Sequence, residues 1–202
     1  MYNVKEMKQK IIDAVEVANN EVRAQFESAF NTIYCDNIVP SEFEKELKIK
    51  IHKMKRPEDI NIIHATAGFY IIFTDLDIGN NNCTLKHTGI THAIYRGECD
   101  KVKRRIQSHL FNKQYKFEYK LRESVYHAKS ENKGKDFHEQ YWPACLKIGN
   151  GESGLNIHED FKGHNWYVLV HNMRGSSQAV RIQAELAFDN VFGKPLASRE
   201  KT

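Results

Sequence analysis

The sequence predicts a mixed α+β domain: a small three-stranded antiparallel sheet flanked by helices, with a helical N-terminal extension and an insertion before the third strand. Three observations carry that expectation. Residues 4–31 place apolar side chains at three-to-four spacing, the period of an amphipathic helix. Residues 68–74, 91–96 and 166–170 are β-branched and aromatic runs, the composition of strands. The last run precedes a second helical pattern that stops at Gly193 and Pro195, a left-handed-tolerant residue followed by one that cannot resume the helix.

In the first helix the stripe is Val4, Met7, Ile11, Ile12, Val15, Ala18, Val22, Phe26 and Phe30. Pro40-Ser41 opens a second, shorter helix. Ser41 caps it, Glu44 completes a capping box, and Phe43, Leu47, Ile51 and Met54 form its stripe until Arg56-Pro57 ends it. Residues 1–60 are therefore read as the helical extension and 61–202 as the core, with 113–164 as its insertion. In the core, the strand at 68–74 leads through a turn-rich loop, 75–83, to the strand at 91–96, closed by Gly97. The two strands form an antiparallel hairpin with a long connection. In that register Arg96 faces solvent or a bound polyanion. Asp100 is the expected N-cap of a helix over 101–111, with Val102, Ile106 and Leu110 inward and Arg105 and His109 sharing a second face. Residues 144–148 are a further strand candidate. Ser176-Ser177 caps the last helix, 178–192, whose apolar face is Val180, Ala184, Ala187, Phe188 and Val191.

Composition narrows the function classes. The chain has 202 residues, 41% hydrophobic and 28% charged, as in ordinary globular proteins, and no run of roughly 20 apolar residues to cross a bilayer. With no apolar leader at Met1 to Glu6, a cytoplasmic location is expected. Cys35, Cys83, Cys99 and Cys145 include no Cys-x-x-Cys pair, which argues against a disulfide framework and a zinc site. The net charge of +4 is mild but unevenly spread. From Lys101 to Arg122 the chain carries Lys101, Lys103, Arg104, Arg105, Lys113, Lys116, Lys120 and Arg122 against Glu118 alone, interleaved with Phe111, Tyr115, Phe117 and Tyr119. One-sided positive charge with aromatics is the footprint of a polyanion surface, although charge runs are in general more often a solvated helix face. Lys86 and His87, in the loop before Tyr95, are weaker candidates for the same contact.

Five side chains form the inventory of a phosphodiester-cleaving site. Arg105, ten residues after Tyr95, is always charged and matches phosphate oxygens in pairs. His109, one helical turn further, suits proton transfer together with a tyrosine, Tyr70 or Tyr95. Glu185, on the last helix, suits a hard metal ion. Taken singly, each has a bland reading as a sheet tyrosine, a helix-surface polar residue or a carboxylate paired with Arg181.

Together, Gly68-Phe69-Tyr70, Tyr95-Arg96-Gly97, Arg105 and Glu185 make the chain resemble the GIY-YIG nuclease superfamily, over residues 67–112 and 166–196. Both tripeptides are variant, with Phe69 and Arg96 at their middle positions. Where family members carry an asparagine after the proline that follows the metal helix, this chain has Pro195-Leu196-Ala197-Ser198. The resemblance implies one divalent metal at Glu185, usually Mg2+, with Mn2+ able to substitute. It implies Tyr70 as general base or water orienter, Tyr95 contacting nucleophile or phosphate, and Arg105 stabilising the phosphoryl charge. His109 and the two additions to the core resemble the type II restriction endonuclease branch. The expectation is therefore a site-specific endonuclease acting on double-stranded DNA as a homodimer, with Lys86, His87, Lys101, Arg104, Lys113, Lys116, Lys120 and Arg122 as DNA contacts. The alternatives are a less specific homing, repair or toxin nuclease, or an inactive DNA-binding module.

Overall fold

The computed structural model describes residues 4–112, 146, 148 and 155–198. Its elements in chain order are helix α1 (Val4–Ile33), strands β1 (Ile49–Met54), β2 (Gly68–Thr74), β3 (Lys86–His87) and β4 (Thr91–Cys99), helix α2 (Val102–Leu110), the single-turn helix α3 (Ile157–Asp160), strand β5 (Trp166–Asn172) and helix α4 (Gln178–Phe192). The class is mixed α+β and the sheet antiparallel, as the sequence predicts. The sheet has five strands rather than three, in the order β1-β5-β2-β4-β3.

The additional strands come from two places. Residues 41–55 do not form the expected helix. A short 3₁₀ turn at Lys45–Leu47 ends at Lys48, whose left-handed φ of 53° stops helical propagation. Ile49–Met54 then runs antiparallel to β5, with Ile49 opposite His171 and Met54 opposite Trp166. Ile49 and Ile51 are β-branched and two residues apart, a strand signal. It was masked because Leu47, Ile51 and Met54 also satisfy helical spacing. The other strand, β3, is a two-residue pairing with the start of β4.

Strand β2 is central and buried along its whole length, so its alternate side chains enter two different cores. Phe69, Ile71 and Phe73 pack with Phe30 and Tyr34 from the end of α1 and its continuation, and with Ala184, Ala187, Phe188 and Phe192 of α4. Tyr70 and Ile72 face the opposite side, with Val102, Ile106 and Leu110 of α2, Met54 of β1 and Trp166 of β5. Phe30 anchors the first core, its ring 5.8 Å from Phe69 and 6.2 Å from Phe188. Truncating such a ring to alanine costs about 3–5 kcal/mol.

Local punctuation is partly as expected. Ser177 caps α4, its Oγ accepting from the Val180 N–H at 3.3 Å, and Gly193 closes the helix at φ 79°. Asp100 does not cap α2. Lys101 stands at the N-cap without a side-chain bond, and the Val102 N–H donates instead to the Thr66 carbonyl at 3.1 Å. The stripe of α1 is buried only toward its C-terminal end, at Phe30; Val4 to Ala18 are exposed. Among the described residues no helix is long and apolar enough to cross a membrane. The strand candidate at 144–148 lies outside the described residues except for Leu146 and Ile148; Leu146 is buried in the α2-side core.

Candidate functional site

The site begins where β2 lies beside β4. Tyr70 stands opposite Gly97, and its phenol folds directly over that glycine. A Cβ on residue 97 would sit 2.6 Å from Tyr70 Oη, 2.8 Å from Tyr70 Cζ and 3.0 Å from Tyr95 Cε1. Glycine is therefore the residue that admits both tyrosines, an approach closer than any side chain allows. Tyr95 projects from β4 on the same face as Gly97, its ring 6.0 Å from that of Tyr70 and inclined by 27°. Helix α2 delivers His109, whose Nε2 is 2.9 Å from Tyr70 Oη and whose ring centre is 4.5 Å from that of Tyr95. Arg105, one turn earlier on α2, lies within electrostatic reach of both phenols.

Burial divides the roles of the two phenols. Tyr70 is 1% exposed, and burial, reinforced by the adjacent Tyr95, pushes its pKa well above the usual phenol range against the opposing pull of Arg105. Tyr95 is only half-buried. Burial raises its pKa too, offset in part by the neighbouring Tyr70 and Arg105, with Glu185 adding to the rise. Burial opposes the charge on Arg105, but Tyr70, Cys99 and Tyr95 outweigh it and hold the guanidinium protonated. The cluster thus presents a permanent cation and neutral phenols that donate and accept hydrogen bonds.

The other half of the site lies on the opposite face of β4. Arg96 is buried rather than turned to solvent or DNA. Its Nε donates to Asp189 Oδ1 at 3.0 Å, its Nη2 engages Asp189 Oδ2, and its Nη1 stands 3.5 Å from Glu185 Oε1. Two residues on, Glu98 receives Arg181 Nε at 2.9 Å and Gln178 Nε2 at 3.3 Å. Arg181 also donates through Nη1 to the Ser176 carbonyl at 2.6 Å. Helix α4 presents Arg181, Glu185 and Asp189 at successive four-residue steps, and β4 presents Arg96 and Glu98 two apart, so complementary charges interlock between strand and helix. The strand is what pairs these helix charges: Arg181 meets Glu98, and Glu185 meets Arg96. Glu185 joins the two halves, being close enough to influence Tyr95.

Asp189, Glu98 and Ser198 were not singled out by the sequence reading. The first two had a signal, namely charged residues at strand and helix periods inside segments otherwise read as buried. Ser198 Oγ accepts from the Arg96 N–H at 3.0 Å while the Ala197 N–H donates to the Ile94 carbonyl at 3.0 Å, so the chain after Pro195 lies along the outer edge of β4. Nothing local to residues 195–198 announces that pairing.

The expected DNA contacts divide. Lys101 is exposed at the start of α2 and Arg104 is half-exposed beside Arg105. Lys86 is exposed on β3. His87 is buried edge-on against Tyr167 at 4.6 Å and beside Phe73, whose side chain enters the core opposite Tyr70. Neither Lys86 nor His87 is brought to the tyrosine cluster. Lys113, Lys116, Lys120 and Arg122 lie outside the described residues. Among the described residues no group of three or more His, Cys, Asp or Glu side chains is arranged to hold a metal; Glu185 offers a single buried carboxylate. Compared with known proteins, the chain matches no family model, no curated protein and no solved structure.

Proposed function

We propose that the protein is a metal-dependent endonuclease of the GIY-YIG kind, hydrolysing phosphodiester bonds of double-stranded DNA, and within that group a site-specific type II restriction enzyme. One observation carries the reading. The side chains selected by the resemblance come from four separate segments, yet Tyr70, Tyr95 and His109 are in mutual contact, with Arg105 and Glu185 within electrostatic reach of the phenols.

The chemistry follows from exposure and charge. Tyr95, the less buried of the two phenols, is the one placed to meet the attacking water. Tyr95 orients that water, and the proton it loses is taken up at the Tyr70–His109 pair, whose Oη–Nε2 bond is 2.9 Å. Tyr70, buried and high in pKa, acts as the connecting and orienting member. Arg105 stabilises the charge gathering on the phosphate, a fixed cation in a low-dielectric setting. A lone carboxylate completed by phosphate oxygens and water suits Mg2+, or Mn2+ in its place, and Glu185 fits that donor set. Such an ion would neutralise charge at the leaving oxygen. Arg96, with Asp189 behind it, fixes where the Glu185 carboxylate lies. Ser198 takes up the β4 edge in the segment where the family's asparagine is missing.

The test is digestion of a mapped plasmid with and without Mg2+. Discrete bands support the restriction reading and a smear the less specific nuclease. Glu185→Ala removes cleavage and keeps DNA binding; full Mg2+-dependent cutting by that variant would sink the metal assignment. A second reading, an inactive DNA-binding module, draws on the Arg96 guanidinium beside Glu185, a cation already facing the carboxylate. Salt-dependent DNA binding without cleavage in Mg2+ or Mn2+ would favour it.

A further inference from the structure

We propose that a cavity at the Met54–Trp166 end of the sheet binds a nucleotide unit, a phosphate ester joined to a planar base. The cavity lies between the end of β1, helix α3 and the start of β5, and its volume of about 480 Å³ is in the range of small-molecule sites. It shares no residue with the tyrosine cluster. Trp166 stands opposite Thr74, four residues along β2 from Tyr70, which is about 13 Å at roughly 3.3 Å per residue. The Trp166 and Tyr70 side chains belong to the same α2-side core. Nucleotide binding here does not depend on the tyrosine cluster being catalytic, and it is read as heat of binding rather than as cleavage.

The chemistry of the walls selects the ligand. Lys55, Arg56 and Lys162 bring three exposed cations to the rim from two distant segments. None of them has an ion-pair partner among the described residues. No Asp or Glu among the described residues lines the cavity, and Glu159 and Asp160 of α3 stay outside it. Two carboxylates stand behind the rim and hold its shape. Asp59 Oδ2 accepts from the backbone N–H groups of Lys55 at 2.7 Å and of Arg56 at 2.9 Å. Asp75 accepts from the Asn165 N–H at 2.9 Å, from Asn165 Nδ2 at 2.7 Å and from His164 Nδ1 at 3.1 Å. A carboxylate only accepts, so His164 carries a proton on Nδ1 and keeps Nε2 for a ligand. Fixed cations of this kind match phosphate oxygens, the guanidinium in pairs and the lysines as point charges. The floor is of another character. Met54 and Trp166 are buried there, and Phe161 packs edge-on against Trp166, with ring centres 6.1 Å apart and planes at 62°. Phe161 is itself only half-buried, which leaves part of an aromatic surface for a base to stack on. Trp166 is 1% exposed and its indole N–H has no hydrogen-bond partner among the described residues, an uncommon state for a buried donor beside a cavity. A bare anion would use the rim alone; a nucleotide uses the rim and the floor.

The test is isothermal titration calorimetry of the full chain with deoxyadenosine 5′-monophosphate, with deoxyadenosine, with inorganic phosphate and with short duplex DNA. The monophosphate is expected to bind more tightly than either the nucleoside or phosphate alone. Lys55→Glu/Lys162→Glu, which reverses two rim charges, should weaken that binding by about tenfold or more. Lys8→Glu/Lys10→Glu makes the same change of net charge on exposed positions of α1 and should bind like the parent. Unchanged thermal unfolding shows that both variants are folded. The source of the phosphate is read from the same titrations. Binding of the monophosphate that the rim variant weakens identifies a free nucleotide; binding of the duplex alone, weakened by the rim variant and not by the α1 variant, identifies a nucleic-acid strand. A chain that binds neither, a rim variant that binds like the α1 variant, or phosphate that binds as tightly as the monophosphate would each overturn the proposal.

Discussion

Gly97→Ala probes the contact on which the tyrosine cluster depends. The added methyl would lie 2.6 Å from Tyr70 Oη and 2.8 Å from Tyr70 Cζ. An ordinary carbon–oxygen approach is about 3.3 Å or more, so the ring must retreat by several tenths of an ångström. It has little room to do so, since Tyr70 is 1% exposed and packed within the α2-side core. Overpacking of this kind costs about 1–3 kcal/mol. The same displacement stretches the 2.9 Å Tyr70–His109 bond, worth about 1 kcal/mol. The expected loss is therefore about 2–4 kcal/mol in urea unfolding at pH 7, with an unchanged m-value. Tyr70→Phe removes the nearest clashing atom, so the double variant should lose less than the sum of the single losses by about 1 kcal/mol. A single-variant loss below about 0.5 kcal/mol, or strict additivity, would refute the placement of the phenol over Gly97.

Arg96→Met leaves the Asp189 and Glu185 carboxylates facing each other without their cation and should cost about 3–5 kcal/mol in unfolding free energy; a loss under about 1 kcal/mol would show that the pair is not desolvated. Acid should destabilise the fold through His171, whose pKa burial lowers to about 3 and whose Nε2 shares a 2.6 Å hydrogen bond with Tyr34 Oη. Below about pH 6.5 the unfolded chain binds a proton that the folded chain refuses, so stability falls with pH across the window from about 6.5 to about 3, by at most about 1.4 kcal/mol per pH unit. The Tyr34→Phe/His171→Leu variant should flatten that slope in urea titrations between pH 7 and 5, and an unaltered slope would contradict the assignment.

What was legible in the sequence is what local pattern encodes. The Gly68–Thr74 strand and helix α4 were readable because composition, cap and stop agree within a few residues. Strand β1 was not, because Leu47, Ile51 and Met54 satisfy a helical stripe as well as Ile49 and Ile51 satisfy a strand. Only the pairing with β5, more than a hundred residues away, decides between them. The five candidate site residues are selected by type, spacing and the resemblance these carry. Their second layer was hidden: a charged residue in a strand reads as exposed until its partner is known, and the partners of Arg96 and Glu98 lie on α4. The periodicity of α1 was correct while the burial inferred from it was not, since a stripe specifies that something covers it without saying what.

The most direct test of the central claim is the single-turnover rate of plasmid cleavage in Mg2+ by the parent and by Arg105→Ala. The account predicts cutting by the parent and a fall of about 10²–10³ in the variant, with DNA binding and unfolding free energy little changed. A parent that binds DNA without cutting it, or an Arg105→Ala variant that cuts at the parent's rate, would contradict it.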